Sequence, residues 1–162
     1  MLSDASSSDT GAVFITVNDR DKVGVTPIAR RLHEMGFRVY ATEGTARYLR
    51  KHGVPCDRVF KLHGGRPNGF DLLVNGEVGL LINTPLGKHA QVADYTLRQA
   101  AIARRVPYTT TLSAASAACD AILSLRSRAP LVRSLQEWHA QLASGEGVTE
   151  TPDARVISTT AR

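Results

Sequence analysis

The chain of 162 residues is long enough for one domain with a single sizeable core, and its 43% hydrophobic and 22% charged residues are ordinary for a globular protein. No apolar run approaches the roughly 20 residues needed to cross a bilayer, and the polar N-terminus lacks the apolar segment of a secretory signal. The two cysteines, Cys56 and Cys119, match no metal-ligand spacing, which predicts a cytoplasmic protein with reduced thiols and no bound metal.

The net charge of +5 suggests a nucleic-acid partner as one hypothesis. The basic residues, however, are spread over predicted helix surfaces, without aromatic residues between them. This distribution favours a solvated surface or a small anionic ligand. We therefore expect neither a nucleic acid nor a membrane as partner.

The first predicted strand is 12–17, AVFITV, a continuous apolar run typical of a parallel sheet that helices cover on both faces. A polar loop follows at its carboxyl end, where open α/β sheets bind their ligands. Lys22 in that loop is a candidate anion ligand, with a solvated lysine as the alternative. Thr26 and Pro27 predict the N-cap and first position of the next helix, and Gly36 predicts its end.

Residues 38–50, RVYATEGTARYLR, predict a short strand, a tight turn and the start of a helix. Such a turn leaves backbone N–H groups unpaired at the positive end of the helix dipole, where an anion binds favourably. Thr42 and Thr45 could add hydroxyl donors to the same site. An ordinary helix cap at Thr42 and a turn residue at Gly44 are an equally supported interpretation.

Predicted strands and helices continue to alternate along the rest of the chain. Lys61 ends an edge strand and begins a loop rich in Gly and Pro, so we expect it to reach the same anion as Lys22. Asn83 begins the loop after another buried strand, where its amide could contact a base or sugar, or its own turn. The expected elements are strands at 54–60, 78–82 and 106–110 and helices at 70–75, 89–104, 112–125 and 130–142.

This succession predicts an α/β fold: a three-layer, Rossmann-like open parallel sheet of about five strands with helices on both faces. Residues 1–11 are expected to be a disordered leader, residues 12–142 one domain, and residues 143–162 a flexible tail.

Several motifs resemble the methylglyoxal-synthase-like fold, and within it the C-terminal regulatory domain of the large subunit of carbamoyl phosphate synthetase. The resemblance covers roughly residues 12–142, and its motifs are FITVNDRDK at 14–22, YATEGTARYL at 40–49, VFKLHGGRPN at 59–68, LLINTPLGK at 80–88, LRQAAIARRVPYTTTLSAASAA at 97–118 and SLQEWHAQ at 134–141. INTPLGK and VPYTTTLS at this separation are specific to the synthetase domain.

The resemblance implies an allosteric domain that binds a nucleotide effector such as UMP or IMP and needs no further cofactor. The positions that match its effector phosphate-binding residues are Lys22, Thr42, Thr45 and Lys61. Asn83 and Thr84 match the nucleoside side of that site, although Pro85 stands where some relatives have a second threonine. Tyr108 and Thr110 match the regulatory-domain side of an ornithine site.

The resemblance also implies the partners and the setting. The partners would be the ATP-grasp synthetase portion of the large subunit and the glutaminase small subunit, with homo-oligomers as a further expectation. The setting would be pyrimidine and arginine biosynthesis in the cytoplasm, and the domain would have no chemistry of its own.

The alternative is an enzyme, methylglyoxal synthase, which eliminates phosphate from dihydroxyacetone phosphate and needs a carboxylate base beside the phosphate. Where that enzyme has its carboxylate, this chain has Arg66, which cannot act as a base. Its loop histidine is Asn18 here. We therefore expect an anion site without a carboxylate beside it. Three residues remain as conceivable substitutes for the base, namely Asp71, His63 and His89.

Overall fold

The computed structural model describes residues 11–61, 64–84, 91–127 and 134–143, and only the backbone at 91–93 and 141–142. One parallel sheet has the strand order β3-β2-β1-β4-β5. Its strands are β1 (Ala12–Val17), β2 (Arg38–Thr42), β3 (Asp57–Val59), β4 (Leu80–Thr84) and β5 (Tyr108–Thr109). The helices are α1 (Lys22–Glu34), α2 (Glu43–Lys51), α3 (Gly69–Val74), α4 (Gln91–Ala103), α5 (Leu112–Ser127) and α6 (Leu135–Ala143).

Side chains alternate between the two faces of the sheet. Phe14, Tyr40 and Leu81 belong to a buried cluster with Leu73 of α3 and Leu97 of α4, so α3 and α4 cover this face. On the opposite face α1 packs close to α5. Their close approach is shown at Gly24, where an added Cβ would lie only 2.5 Å from Leu112 Cδ1. The predicted three-layer α/β sheet is therefore confirmed.

Two compact units are distinguished along the chain. The first, which contains the whole sheet, runs to Asp120. The second begins at Ala121 and contains the end of α5 and all of α6. Within the described residues of both units, no helix is long and apolar enough to cross a membrane.

The predicted start of α1 is wrong. The helix begins at Lys22, directly after a 3-10 turn at Asp19–Asp21, and not at Thr26. Asn18 caps that turn by accepting hydrogen bonds from the backbone N–H groups of Arg20 and Asp21. The α-helix therefore begins four residues before Thr26. Pro27 consequently lies inside α1. The predicted helix end at Gly36 is confirmed, with φ of +87° just after the last turn.

The predicted strand at 78–82 is displaced. β4 runs over Leu80–Thr84 because its register with β1 pairs Thr16 with Asn83 and Val17 with Thr84. Asn83 and Thr84 are therefore strand residues and not loop residues. β3 and β5 are shorter than predicted, and α6 begins at Leu135. The expected leader and tail, Pro85, and the histidines at 63 and 89 lie outside the described residues, except for Gly11 and Ala143.

Candidate functional site

A row of polar side chains crosses the three central strands at their carboxyl ends. Thr42 of β2, Thr16 of β1 and Asn83 of β4 share one face of the sheet, since Thr16 pairs with Asn83 and lies 3.4 Å from Thr42 between hydroxyl oxygens. Two residues earlier the same face carries an apolar row, Tyr40, Phe14 and Leu81. The polar row thus lies at the edge of the core, where open α/β sheets bind ligands.

The threonine hydroxyls are held only weakly by one another. Thr45 Oγ1 lies 3.4 Å from Thr42 Oγ1 and 3.5 Å from the carbonyl oxygen of Val17. These distances exceed the usual 2.7–2.8 Å for hydroxyl hydrogen bonds. Thr42 occupies the N-cap position of α2, but its side chain makes no capping hydrogen bond. The interpretation of Thr42 as an ordinary helix cap is therefore not supported, and both hydroxyls can turn toward a ligand.

Lys22 brings a positive charge to the same point. Its Nζ lies over the first turn of α2, so close that a Cβ on Gly44 would be 3.2 Å away. The side chain is only 16% exposed. An ammonium group, unpaired helix N–H groups and two hydroxyls therefore surround one point at the positive end of α2. We call Lys22, Thr42, Gly44 and Thr45 the anion cradle.

A carboxylate, however, lies at the cradle, and the expectation of a site without one is wrong. Asp19 Oδ1 is 2.5 Å from Lys22 Nζ, and its side chain is 92% exposed. The hydrogen bond and the charge of Lys22 lower the pKa of Asp19, and the charge of Lys61 lowers it further. The low pKa makes Asp19 a poor general base. It acts instead as an internal counter-ion, which a bound anion would displace.

Asp19→Asn is expected to tighten binding of inorganic phosphate by about two- to fivefold, because an exposed ion pair is weak and its removal frees the Lys22 ammonium. Calorimetric titration measures the change. Asp57→Asn is the matched control. It removes the same charge from an ion pair elsewhere, between Asp57 on β3 and Arg38 on β2. Equal effects of the two substitutions would show that only net charge matters and would contradict the counter-ion role.

Lys61 follows β3 and enters a loop whose ends are joined. Phe60 forms a bridge with Asn68, and its N–H donates to the carbonyl of Pro67. Lys61 is exposed, and its charge acts on Asp19 as described above. Among the described residues Lys22 forms the ion pair with Asp19, and Lys61 acts on that carboxylate only through its charge.

Asn18 joins the loop after β1 to the end of β4. Its Nδ2 donates to Thr84 Oγ1 at 3.2 Å, to the Thr84 carbonyl at 3.3 Å and to Asp21 Oδ2 at 2.7 Å. The Thr84 hydroxyl oxygen also accepts from the Asn18 N–H at 3.4 Å. From the sequence, Asn18 was expected only to replace the histidine of the enzymatic relatives. An Asn directly before an acidic turn is the capping signal that could have indicated its structural role.

Asn83 is 1% exposed, and its Nδ2 has no hydrogen-bond partner in the part of the chain that the structure describes. Asp94, on the first turn of α4, is 8% exposed, and its Oδ2 has no partner there either. Burial raises the pKa of Asp94, while the Asn83 amide and then the Arg98 charge lower it. Asp94 did not figure among the sequence-derived candidates.

The remaining candidates lie away from the cradle. Tyr108 is on β5, an edge strand roughly 10 Å from β1 by the usual strand spacing, and Thr110 follows that strand. Asp71 completes a capping box with Asn68 at the start of α3, so its carboxylate serves the helix end. Arg66 is 86% exposed. In the described part of the chain, no three or more His, Cys, Asp or Glu side chains form a potential metal site.

Comparison with known proteins identifies a family and several relatives. The MGS-like domain family model matches residues 24–110. A carbamoyl phosphate synthase large chain of Gemmatimonas aurantiaca is 56% identical over 89% of this chain and 13% of its own length. The C-terminal section of that large chain in Methanopyrus kandleri is 45% identical over 80% of this chain and 24% of its length. The large chain of Archaeoglobus fulgidus is 43% identical over 81% of this chain and 12% of its own length.

This chain therefore spans only about an eighth to a quarter of these relatives. The crystal structure of ForH aligns with 47% of this chain and 53% of its own at 26% identity, but its TM-score of 0.35 is too low to support an argument. The named relatives do not favour a methylglyoxal synthase. Since the family model covers more than half of the sequence, the chain belongs to the MGS-like domain family.

Proposed function

We propose that this chain is the effector-binding domain of a carbamoyl phosphate synthase large chain, and that it binds a nucleoside monophosphate such as UMP or IMP without chemistry of its own. The observation that carries the proposal is the placement of Lys22 Nζ against Gly44, at the N-terminus of α2 and beside the Thr42 and Thr45 hydroxyls. A phosphate monoester matches this combination of one full charge, hydroxyl donors and helix N–H groups.

The dimensions of the polar row support a nucleotide over phosphate alone. Thr42 and Asn83 are two strand spacings apart, roughly 10 Å, with Thr16 between them. A ligand whose phosphate lies in the anion cradle would extend its sugar and base along this row toward β4. Asn83 would then face the nucleoside, as its sequence position suggested. Thr84 is the next residue of β4, so its side chain lies on the other face, where its hydroxyl oxygen accepts from Asn18.

The biological role follows as part of the proposal. The relatives named above are large chains of the synthase or its C-terminal section, so the partner would be the ATP-grasp portion of the same large subunit, with the glutaminase small subunit in the complex. Nucleotide occupancy would regulate the synthase by differential affinity for two states of the assembly. The pathway would be pyrimidine and arginine biosynthesis, in the cytoplasm.

The test is a calorimetric titration of the chain with UMP, IMP, uridine and inorganic phosphate. We expect at least one nucleotide to bind, and uridine to bind much more weakly because it lacks the phosphate. Thr42→Val, which replaces a hydroxyl by a methyl group, should weaken nucleotide binding about tenfold, as expected for the loss of a hydrogen bond to a charged group.

Thr109→Val on β5 is the matched control, since its buried Oγ1 has no partner and lies away from the cradle. It should leave nucleotide affinity unchanged. Failure of the wild type to bind either nucleotide at millimolar concentration would contradict the proposal. Formation of methylglyoxal from dihydroxyacetone phosphate above background would replace it with the enzymatic alternative.

A further inference from the structure

We propose that Asp94 is a positioning residue for effector recognition: when the effector binds, its carboxylate pairs with the Asn83 amide at the end of β4 and thereby fixes which atom of that amide meets the ligand. The inference rests on the proposed nucleotide site and concerns a residue outside the anion cradle. Asp94 is placed one helical turn before Leu97 and two turns before Ala101, on the face of α4 that packs on the sheet.

The location of Asn83 brings the two side chains together. Asn83 shares its sheet face with Thr16 and Phe14, and α4 covers this face. The first turn of α4 lies above the carboxyl end of β4, since a crossover helix runs antiparallel to its strand. Asp94 and Asn83 are therefore neighbours, and the effect of the Asn83 amide on the pKa of Asp94 agrees with this placement.

Neither group has a hydrogen-bond partner among the described residues. Asn83 Nδ2 is a buried donor without an acceptor, and Asp94 Oδ2 is a buried acceptor without a donor. A buried polar atom without a partner is costly, so natural proteins keep few of them. The Asn83 Nδ2 donor and the Asp94 Oδ2 acceptor could therefore bond to each other. A small movement of β4 toward α4 would bring the two atoms within hydrogen-bond distance.

The chemistry of the pair decides the orientation of the amide. An ionised carboxylate only accepts hydrogen bonds, so it selects the Nδ2 side of Asn83. The Oδ1 atom of Asn83 is then left for the ligand, and it selects a ligand group that donates, such as a sugar hydroxyl or a base N–H. Inorganic phosphate, which needs only the cradle, should not depend on Asp94.

The test uses the whole chain and compares UMP with inorganic phosphate by calorimetry. Asp94→Ala should weaken UMP binding five- to twentyfold and leave phosphate binding within twofold of the wild type. Its unfolding temperature should not fall, because the substitution also removes a buried, unpartnered carboxylate. Asp94→Asn retains an acceptor oxygen of the same shape and should keep UMP affinity within about threefold. Asp120→Ala, an exposed carboxylate on α5, is the control and should change nothing.

Three results would overturn the inference. The first is an unchanged UMP affinity in Asp94→Ala. The second is a parallel loss of UMP affinity, phosphate affinity and thermal stability, which would mark a purely structural role, and the third is an equal loss of UMP affinity in Asp94→Asn. NMR of the Asn83 side-chain amide gives a reading that needs no nucleotide. Its two Nδ2 proton resonances should shift in Asp94→Ala because a neighbouring carboxylate is removed, and an unchanged pair would contradict the proximity of the two side chains. Absence of UMP binding to the wild type is a separate result, which rejects the proposed function itself.

Discussion

Lys22→Ala is expected to weaken binding of UMP and of inorganic phosphate by about a hundredfold, the largest effect of any single substitution in the anion cradle. Lys22 supplies a full charge that is only 16% exposed, so solvent screens it little. A charge-assisted hydrogen bond to phosphate is about twice as strong as a neutral one. Calorimetric titration of both ligands measures the loss, and it should be similar for the two because both contact the cradle through phosphate.

Stability should change little in Lys22→Ala, since the partner of Lys22 is the exposed Asp19. Lys51→Ala removes the same charge from the opposite end of α2 and is the control, with unchanged affinity expected. A Lys22→Ala variant that bound phosphate as tightly as the wild type would show that the cradle is not the phosphate site.

Gly69→Ala is expected to lower the free energy of unfolding by about 1 to 3 kcal/mol, the usual cost of overpacking a core. Gly69 is the first residue of α3, and a Cβ there would lie 2.1 Å from Phe14 Cε1 and 2.4 Å from Cζ. Phe14 is 1% exposed at the centre of the sheet, so its ring cannot move without disturbing the surrounding cluster. Urea unfolding at equilibrium measures the change.

Gly79→Ala is the matched control, because the nearest atom to its added Cβ is the Ala12 carbonyl oxygen at an ordinary 3.9 Å. Phe14→Leu provides the second test. Alone it should destabilise by lost contacts, whereas in the Gly69→Ala background it should be neutral or stabilising, because the smaller side chain relieves the clash. Additive losses in the double variant would refute the steric explanation.

The sequence predicted the architecture because its strongest signals are local. Alternating apolar strands and helix ends such as Gly36 are specified by neighbouring residues, and they define a doubly covered parallel sheet. The start of α1 was mispredicted because the Thr26-Pro27 pair is a good local start signal, whereas the Asn18 cap lies eight positions earlier and starts the helical turns there. The extent of β4 depends on its pairing with β1, which no local pattern determines.

The candidate site was predictable in part for the same reason. Lys22, Thr42 and Thr45 were expected to converge because each follows or ends a strand at one edge of the sheet, and the structure places them together. Asp19 was missed, since an acidic residue in a polar loop gives no indication of its partner. Asp94 could have been noticed as the one acidic residue in register with Leu97 and Ala101 on an otherwise apolar helix face.

The bridge between Phe60 and Asn68 has a mechanical consequence for Lys61. Asn68 both closes the loop that begins at Lys61 and caps α3, where its side chain accepts from the N–H groups of Phe70 and Asp71. The backbone that carries this ammonium group is thus anchored to the helix layer on one side of the sheet, while the cradle is built on the first turn of α2. A displacement of the chain at Phe60 would therefore also strain the cap at the start of α3.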